Sequence, residues 1–342
     1  MKSALPFQTQ YLLFHPFTKS QNLFVNLHAT FSLLYSMKTN HKPFFAHLAM
    51  FMACAFWGLM APIGKFAMNN GIDGITLVSF RVFGGAILFW ITSLFVPKED
   101  IPRKDIFKLA GAALFGLVLN QCGFTIGLSY TSPGNASIMT TSMPIFAMIL
   151  AFLILKEPIT KQKVSGVAIG CIGALILILT SAAATDIKVG NFKGDLMCLM
   201  AQLSFAFYLS IFTPLIRKYS IFTINKWMFF WANFWVLPLT GKHLIAIQWS
   251  AVPLSTWLGI LYVVFLGTFV CYIFTMFAQQ TLRPTVISSY NYVQPTIAVT
   301  VSIIMRMGVF KWSQLFALCL IVCGVWLVSK SKSKRDMEKL KG

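Results

Sequence analysis

Charge is scarce in this chain. Only 11% of its 342 residues are charged and 57% are hydrophobic, whereas a water-solvated domain carries about 25% charged residues. A soluble globule is excluded on that ground. Acids are scarcer still, with nine Asp and Glu against 28 Lys and Arg. Asp73, Glu99, Asp100, Asp105, Glu157, Asp186, Asp195, Asp336 and Glu338 all fall in loops, at the ends of apolar runs or in the tail. Asp100 and Asp105 are clustered acids with Pro102-Arg103-Lys104 between them, and they read as part of a solvated loop. His15, His28, His41, His47 and His243 avoid the middles of the apolar runs. Cys54, Cys122, Cys171, Cys198, Cys271, Cys319 and Cys323 form no C-x-x-C pair and have no His at ligand spacing, so they read as small buried apolar residues. No G-x-x-x-x-G-K-[ST] loop is present, nor any soluble stretch long enough for a nucleotidase. The expectation is no cofactor, no metal and no catalytic residue. The net charge of +19 lies between apolar runs and in the tail, so no basic face on a folded soluble element exists to bind nucleic acid.

What is present is apolar length. Ten segments run over roughly 46–66, 76–96, 109–128, 136–155, 164–183, 195–214, 222–240, 255–278, 286–305 and 312–329. Most approach the ~20 residues that cross a ~30 Å hydrocarbon core as helix. The seventh is the weakest, aromatic from Trp227 to Trp235 with Lys226 near its start. With the start of segment one inside, 19 Lys and Arg lie on the inner side and six on the outer. Such a split places both termini in the cytoplasm of a multi-pass cell-membrane protein. Residues 1–36 have no acid and no convincing targeting pattern. Residues 1–41 are therefore expected to be a disordered extension or an over-extended start ahead of Met37-Lys38.

The hydrophobic body is written twice. Pro133, Pro144, Gly116 and Gly173 recur 151 residues later as Pro284, Pro295, Gly267 and Gly324. Pro62 and Lys65 recur at a shift of 152 as Pro214 and Arg217. The predicted fold is an all-α integral membrane protein of ten transmembrane helices in two five-helix repeats, 42–185 and 186–329, followed by a basic tail, 330–342. An odd number of spans per repeat inverts one copy relative to the other, an arrangement typical of membrane carriers.

The stretch Ala55-Phe-Trp-Gly-Leu-Met-Ala-Pro-Ile-Gly-Lys65 opens segment one. Segment four reads Ala136-Ser-Ile-Met-Thr-Thr-Ser-Met-Pro144 and runs on to Lys156-Glu-Pro-Ile-Thr-Lys-Gln162 and Gly166. These stretches resemble the EamA-type family of the drug/metabolite transporter superfamily, over about Lys42 to Lys330. The resemblance implies a small-molecule carrier, often an exporter of amino acids or other metabolites, built as a basket of ten helices around a central cavity. The family's glutamate after the fourth span matches Glu157, and the second copy has Gly308 there.

Tyr290, Asn291 and Gln294 share one helical face of segment nine, and a polar stripe avoids lipid. Their first-copy counterparts are Met139, Thr140 and Met143. Asn120 and Gln121 correspond to Cys271 and Tyr272, and Trp57 and Tyr208 sit near the matched midpoints of segments one and six. The candidate cavity lining is thus Trp57, Asn120, Gln121, Thr140, Tyr208, Tyr272, Tyr290, Asn291 and Gln294, with interhelical hydrogen bonding the competing role for each. Pro144 and Pro295 are candidate hinges or static kinks. Arg81 lies inside segment two and has two readings: it snorkels to the outer interface or attracts an anionic group of a substrate. Lys65 and Arg217 read as interfacial anchors.

The expected function is a carrier that moves a small metabolite, such as an amino acid or amphipathic compound, by alternating access, in the export direction. Its partners are that solute and the bilayer, and its oligomeric state is open. A proton-driven carrier keeps an ionisable relay within the membrane. The lack of a midplane carboxylate or imidazole therefore predicts facilitated diffusion or exchange. The alternatives are an integral membrane enzyme, a flippase for lipid-linked substrate, and a sensor or scaffold.

Overall fold

The computed structural model describes residues 43–182, 192–247, 249–304 and 311–332, together with Asp336. The extension 1–41, most of the basic tail and Gly308 lie outside the described residues. Within them the chain is helical, with turns between helices and no strand. This suits a chain whose backbone polar groups must pair internally in lipid.

Ten crossings are formed. Span one is Pro43–Asn69 and span two Gly74–Ser93. Span three is Arg103–Tyr130, span four Pro133–Leu155 and span five Lys161–Ala182. Span six is Phe192–Ile211, span seven Ile221–Ala246 and span eight Leu254–Thr281. Span nine runs through Pro284–Ser289, a 3-10 turn at Tyr290–Tyr292 and Val293–Ile304. Span ten is Trp312–Lys330. Eight of them are long and apolar enough to cross a membrane on length and composition. Span seven is diluted by Asn225, Lys226, Asn233 and Thr240, and span nine is divided by its 3-10 turn.

Contacts between helix ends follow the alternation of ten crossings. On one side Lys218 and Tyr219, after span six, bond Asp105 at the start of span three. Glu99 accepts from the Ser220 amide on the same side, and Arg283 donates to Ser331. On the other side Asp73 meets His243, Thr131 donates to Asp195, and Lys311 donates to the Thr180 carbonyl. Between the two ends, large apolar side chains such as Phe51, Phe83, Phe152, Leu179, Trp235, Leu258 and Trp326 lie exposed around the bundle. Apolar exposure on that scale marks a lipid-facing belt.

Neither copy packs as a closed unit. Span one lies against spans eight and nine, and its counterpart, span six, lies against spans three and four. Spans two and seven pair across the molecule, as do spans five and ten. The last pair meets through glycine: a Cβ on Gly324 would stand 2.6 Å from the Gly170 nitrogen. The internal symmetry extends to detail. Spans three and eight each carry a π turn at matched positions, Leu114–Cys122 and Phe265–Val270. Lys65 donates to the carbonyls of Leu128, Ser129 and Thr131 at the end of span three. Arg217 does the same for Gln279 and Leu282 at the end of span eight. Both are helix-end caps, because carbonyls left over at a helix C-terminus attract a cation.

The cysteine expectation needs a correction. Cys54, Cys198 and Cys271 are buried, but Cys319 and Cys323 are exposed on the outward face of span ten.

Candidate functional site

Both duplicated prolines mark helix breaks. Span four stops at Thr140 and resumes at Met143, with Pro144 in the first turn of the new segment. Span nine tightens to a 3-10 turn before resuming at Val293, and Pro295 follows two residues later. A proline has no N–H to give the carbonyl four residues earlier and crowds it. Those residues are Thr140 and Asn291, counterparts 151 apart.

Thr140 and Asn291 both line a cavity at mid-depth, together with Trp57, Arg81, Asn120, Gln121, Phe124, Gln202, Phe205 and Gln294. The lining comes from spans one, two, three, four, six and nine, so both copies contribute. The cavity volume is only about 50 Å³, room for a water or two. Its polar walls are largely braced. Gln294 donates to Asn291 Oδ1 at 2.9 Å, Asn120 donates to the Ala201 carbonyl at 2.9 Å, and Gln121 Nε2 donates to the Tyr272 hydroxyl at 3.0 Å. Trp57 Nε1 donates to the Gly267 carbonyl in the π turn of span eight at 3.0 Å. The Tyr272 hydroxyl donates to the Gly116 carbonyl in the π turn of span three at 2.9 Å. Each π turn thus has its glycine carbonyl held by a ring from the other copy.

Six of the nine expected lining residues therefore meet at this cavity: Trp57, Asn120, Gln121, Thr140, Asn291 and Gln294. The other three lie elsewhere. Tyr272 supports Gln121 from behind. Tyr208 is fully buried and donates to Gln279 Oε1 at 3.1 Å. Tyr290 leaves the stripe it was expected to share with Asn291 and Gln294, because the 3-10 turn changes the angular step at that point. It lines a lateral, mostly apolar cleft of about 630 Å³ among spans one, nine and ten, where its hydroxyl meets His47 Nδ1 at 2.8 Å.

Gln202, Phe124, Phe205 and Arg81 were absent from the expected lining. Gln202 is a polar residue in mid-span, the same signal that picked out Asn120. The two phenylalanines give no sequence signal in a chain with 33 of them. Arg81 overturns the snorkelling alternative. It is 3% exposed, and its Nε and Nη1 donate to Thr268 Oγ1 of span eight at 3.1 Å and Thr125 Oγ1 of span three at 3.0 Å. Asp105, by contrast, holds no free chemistry, being bonded to Lys108, Lys218 and Tyr219. Glu157 pairs with the buried Lys163 at 3.0 Å near one end of the bundle. Among the described residues no group of His, Cys, Asp and Glu is arranged to hold a metal ion.

A protein-family model described as the EamA-like transporter family matches the chain twice, over residues 44–179 and 192–330. The chain belongs to that family. This membrane transporter is 21% identical over 295 residues to the Bacillus subtilis protein YetK, named an uncharacterized transporter; the match covers 85% of this chain and 88% of YetK. It is 22% identical to the WAT1-related protein At3g53210 of Arabidopsis thaliana, over 84% of this chain and 86% of that one. An uncharacterized transporter of Archaeoglobus fulgidus is 26% identical over 52% of this chain and 61% of its own length. A solved crystal structure superposes with a TM-score of 0.66 at 13% identity, covering 87% of this chain and 99% of that one. At that identity the likeness is one of fold.

Proposed function

We propose that this EamA transporter is a cell-membrane carrier that moves a small metabolite outward by alternating access, with both termini in the cytoplasm. The observation that carries this reading is the mid-depth cavity built where two matched helices break, since carriers with inverted repeats keep their sites at such breaks. A cavity of about 50 Å³ is too small for a metabolite, so the site must open to load. The repeats, taken as 42–185 and 186–329, exchange their first spans. The bodies that rock are then spans one, eight and nine against spans six, three and four, with the pairs two–seven and five–ten as seams. Pro144 and Pro295 are the hinges. Coupling is by facilitated diffusion or exchange.

Purified protein in liposomes, loaded with a panel of amino acids and other metabolites, tests the reading. Saturable counterflow of at least one labelled solute is expected. Absence of counterflow across the panel overturns the carrier, and uphill transport driven by a pH gradient overturns the coupling.

A second reading, a flippase for a lipid-linked substrate, is favoured by the lateral cleft among Phe44, Phe51, Ile297, Val322 and Trp326 with Lys330 at one end. Scrambling of a fluorescent lipid in the same liposomes, with no solute counterflow, would select it.

A further inference from the structure

The ionic balance of the cavity is one-sided. Arg81 is the one formally charged residue lining it; the remaining polar lining is Asn120, Gln121, Gln202, Asn291, Gln294 and Thr140, all neutral. A guanidinium stays protonated in any protein setting, so the site carries a full positive charge. No carboxylate pairs with Arg81 among the described residues. Its Nε and Nη1 are taken by Thr268 and Thr125. Nη2, with its two N–H groups, has no hydrogen-bond partner among them. Although the side chain is only 3% exposed, Nη2 is not among the sealed-off polar atoms that lack a partner, so its N–H groups open onto the cavity beside an uncompensated charge. The two threonine hydroxyls fix its direction without neutralising it. Thr268 Oγ1 donates its own hydrogen to the Val263 carbonyl at 2.8 Å, across the π turn, so it faces Arg81 as an acceptor only. The arrangement orients a charge and leaves it unpaired.

We infer that Arg81 is the anchor for a carboxylate on the transported solute. The inference rests on the carrier reading and names the chemistry that its site accepts. A carboxylate supplies acceptor oxygens for Nη2 and cancels the charge, and charge-assisted bonds of this kind are roughly twice as strong as neutral ones. The charge count selects a monoanion. One guanidinium and no second basic residue line the cavity, so a dianion such as a phosphate monoester would leave one negative charge there without a cationic partner. The amides of Gln121, Asn291 and Gln294 then meet the polar remainder of the solute. Thr125 and Thr268 are positioning residues, acting through Arg81.

The test uses the full chain in two formats. In liposomes, counterflow of a labelled monocarboxylate without an amine is competed by unlabelled monocarboxylates of the same kind and by the same compounds as neutral carboxamides. In detergent, the thermal midpoint is followed with each competitor. Wild type is expected to prefer carboxylates to carboxamides by at least about tenfold, since a site built to bond one group rejects the analogue lacking it. Arg81→Gln is expected to erase that preference, and Arg81→Lys, which keeps the charge, to restore part of it. Thr268→Val is expected to weaken carboxylate binding while leaving the preference in place, and it covers the case in which Arg81→Gln fails to fold. Counterflow with equal competition by carboxylates and carboxamides overturns the anchor and leaves the carrier standing. Thermal stabilisation by carboxylates that is lost in Arg81→Gln, without any counterflow, upholds the anchor and overturns the carrier. Neither transport nor stabilisation overturns both.

Discussion

Gln121 and Tyr272 hold the same position in the two copies, 151 residues apart, and they bond to each other, Nε2 to hydroxyl, at 3.0 Å. Residues related by an internal two-fold touch only near its axis, so this pair marks the centre of the bundle. It stands directly behind the cavity, to which Gln121 contributes. Tyr272 passes the contact on to the Gly116 carbonyl, tying the axis to the π turn of span three.

A double-mutant cycle on Gln121→Leu and Tyr272→Phe is expected to give a coupling of about 0.6 kcal/mol in unfolding free energy, the usual scale for interhelical hydrogen bonds in membranes. Tyr272→Phe alone should cost more than the coupling, because it also releases the Gly116 carbonyl. Strict additivity of the two substitutions would show that the pair does not brace the axis.

Span one meets span nine at a point with no room for a side chain. A Cβ on Gly58 would stand 2.6 Å from the Gln294 carbonyl oxygen, and that oxygen belongs to backbone next to Pro295. Gly58→Ala is expected to lower stability by about 1–3 kcal/mol, the ordinary cost of overpacking. It should also disturb the cavity, because Trp57 and Gln294 flank the contact. Unfolding in mixed micelles measures the first effect and solute-induced thermal shifts the second. An unchanged midpoint would mean that the two spans stand further apart.

Pro144 and Pro295 separate into hinge or kink by kinetics. As hinges, Pro144→Ala and Pro295→Ala let the helices run on, and turnover and half-saturation should change together, turnover by about tenfold. As static kinks they alter stability alone. Counterflow rates beside thermal midpoints for the two variants decide the matter.

Asp73 predicts an acid response at the ends of spans one, two and seven. It caps span two by accepting from the Thr76 amide at 2.7 Å, and it faces His243 at 2.6 Å. Partial burial pushes its carboxyl up, but the bonds from Thr76 and His243 outweigh that and hold it below its ordinary value. A depressed carboxylate contributes stability that is complete above the unfolded value, about 3.9, and is lost as pH falls through the folded one. Thermal midpoints taken from about pH 6 down to about 3 should fall more steeply in wild type than in Asp73→Asn, which keeps the cap without the titration. Asp73→Ala should cost about 1 kcal/mol at neutral pH as a lost N-cap. Parallel pH profiles for wild type and Asp73→Asn would rule the titration out.

The sequence by itself determined the membrane class, the ten crossings and the duplication. These follow from properties local to each segment: apolar length, the side on which Lys and Arg collect, and the spacing of prolines that break helices wherever they are placed. It also marked Asn120, Gln121, Thr140, Asn291 and Gln294 for the cavity, because polar side chains in mid-span avoid lipid. Only the tertiary structure decided which helix each segment meets. Span one packs into the second copy and span six into the first, and periodicity within a segment carries no information about its partner. The same limit explains Tyr290, which a straight helix puts beside Asn291 and the 3-10 turn sends to the lateral cleft. It explains Arg81 as well. Along the chain Arg81 lies about two turns from the end of span two and could have reached water. Thr125 and Thr268, from two other helices and both copies, turn it inward, and that three-way meeting exists only once the copies interlock.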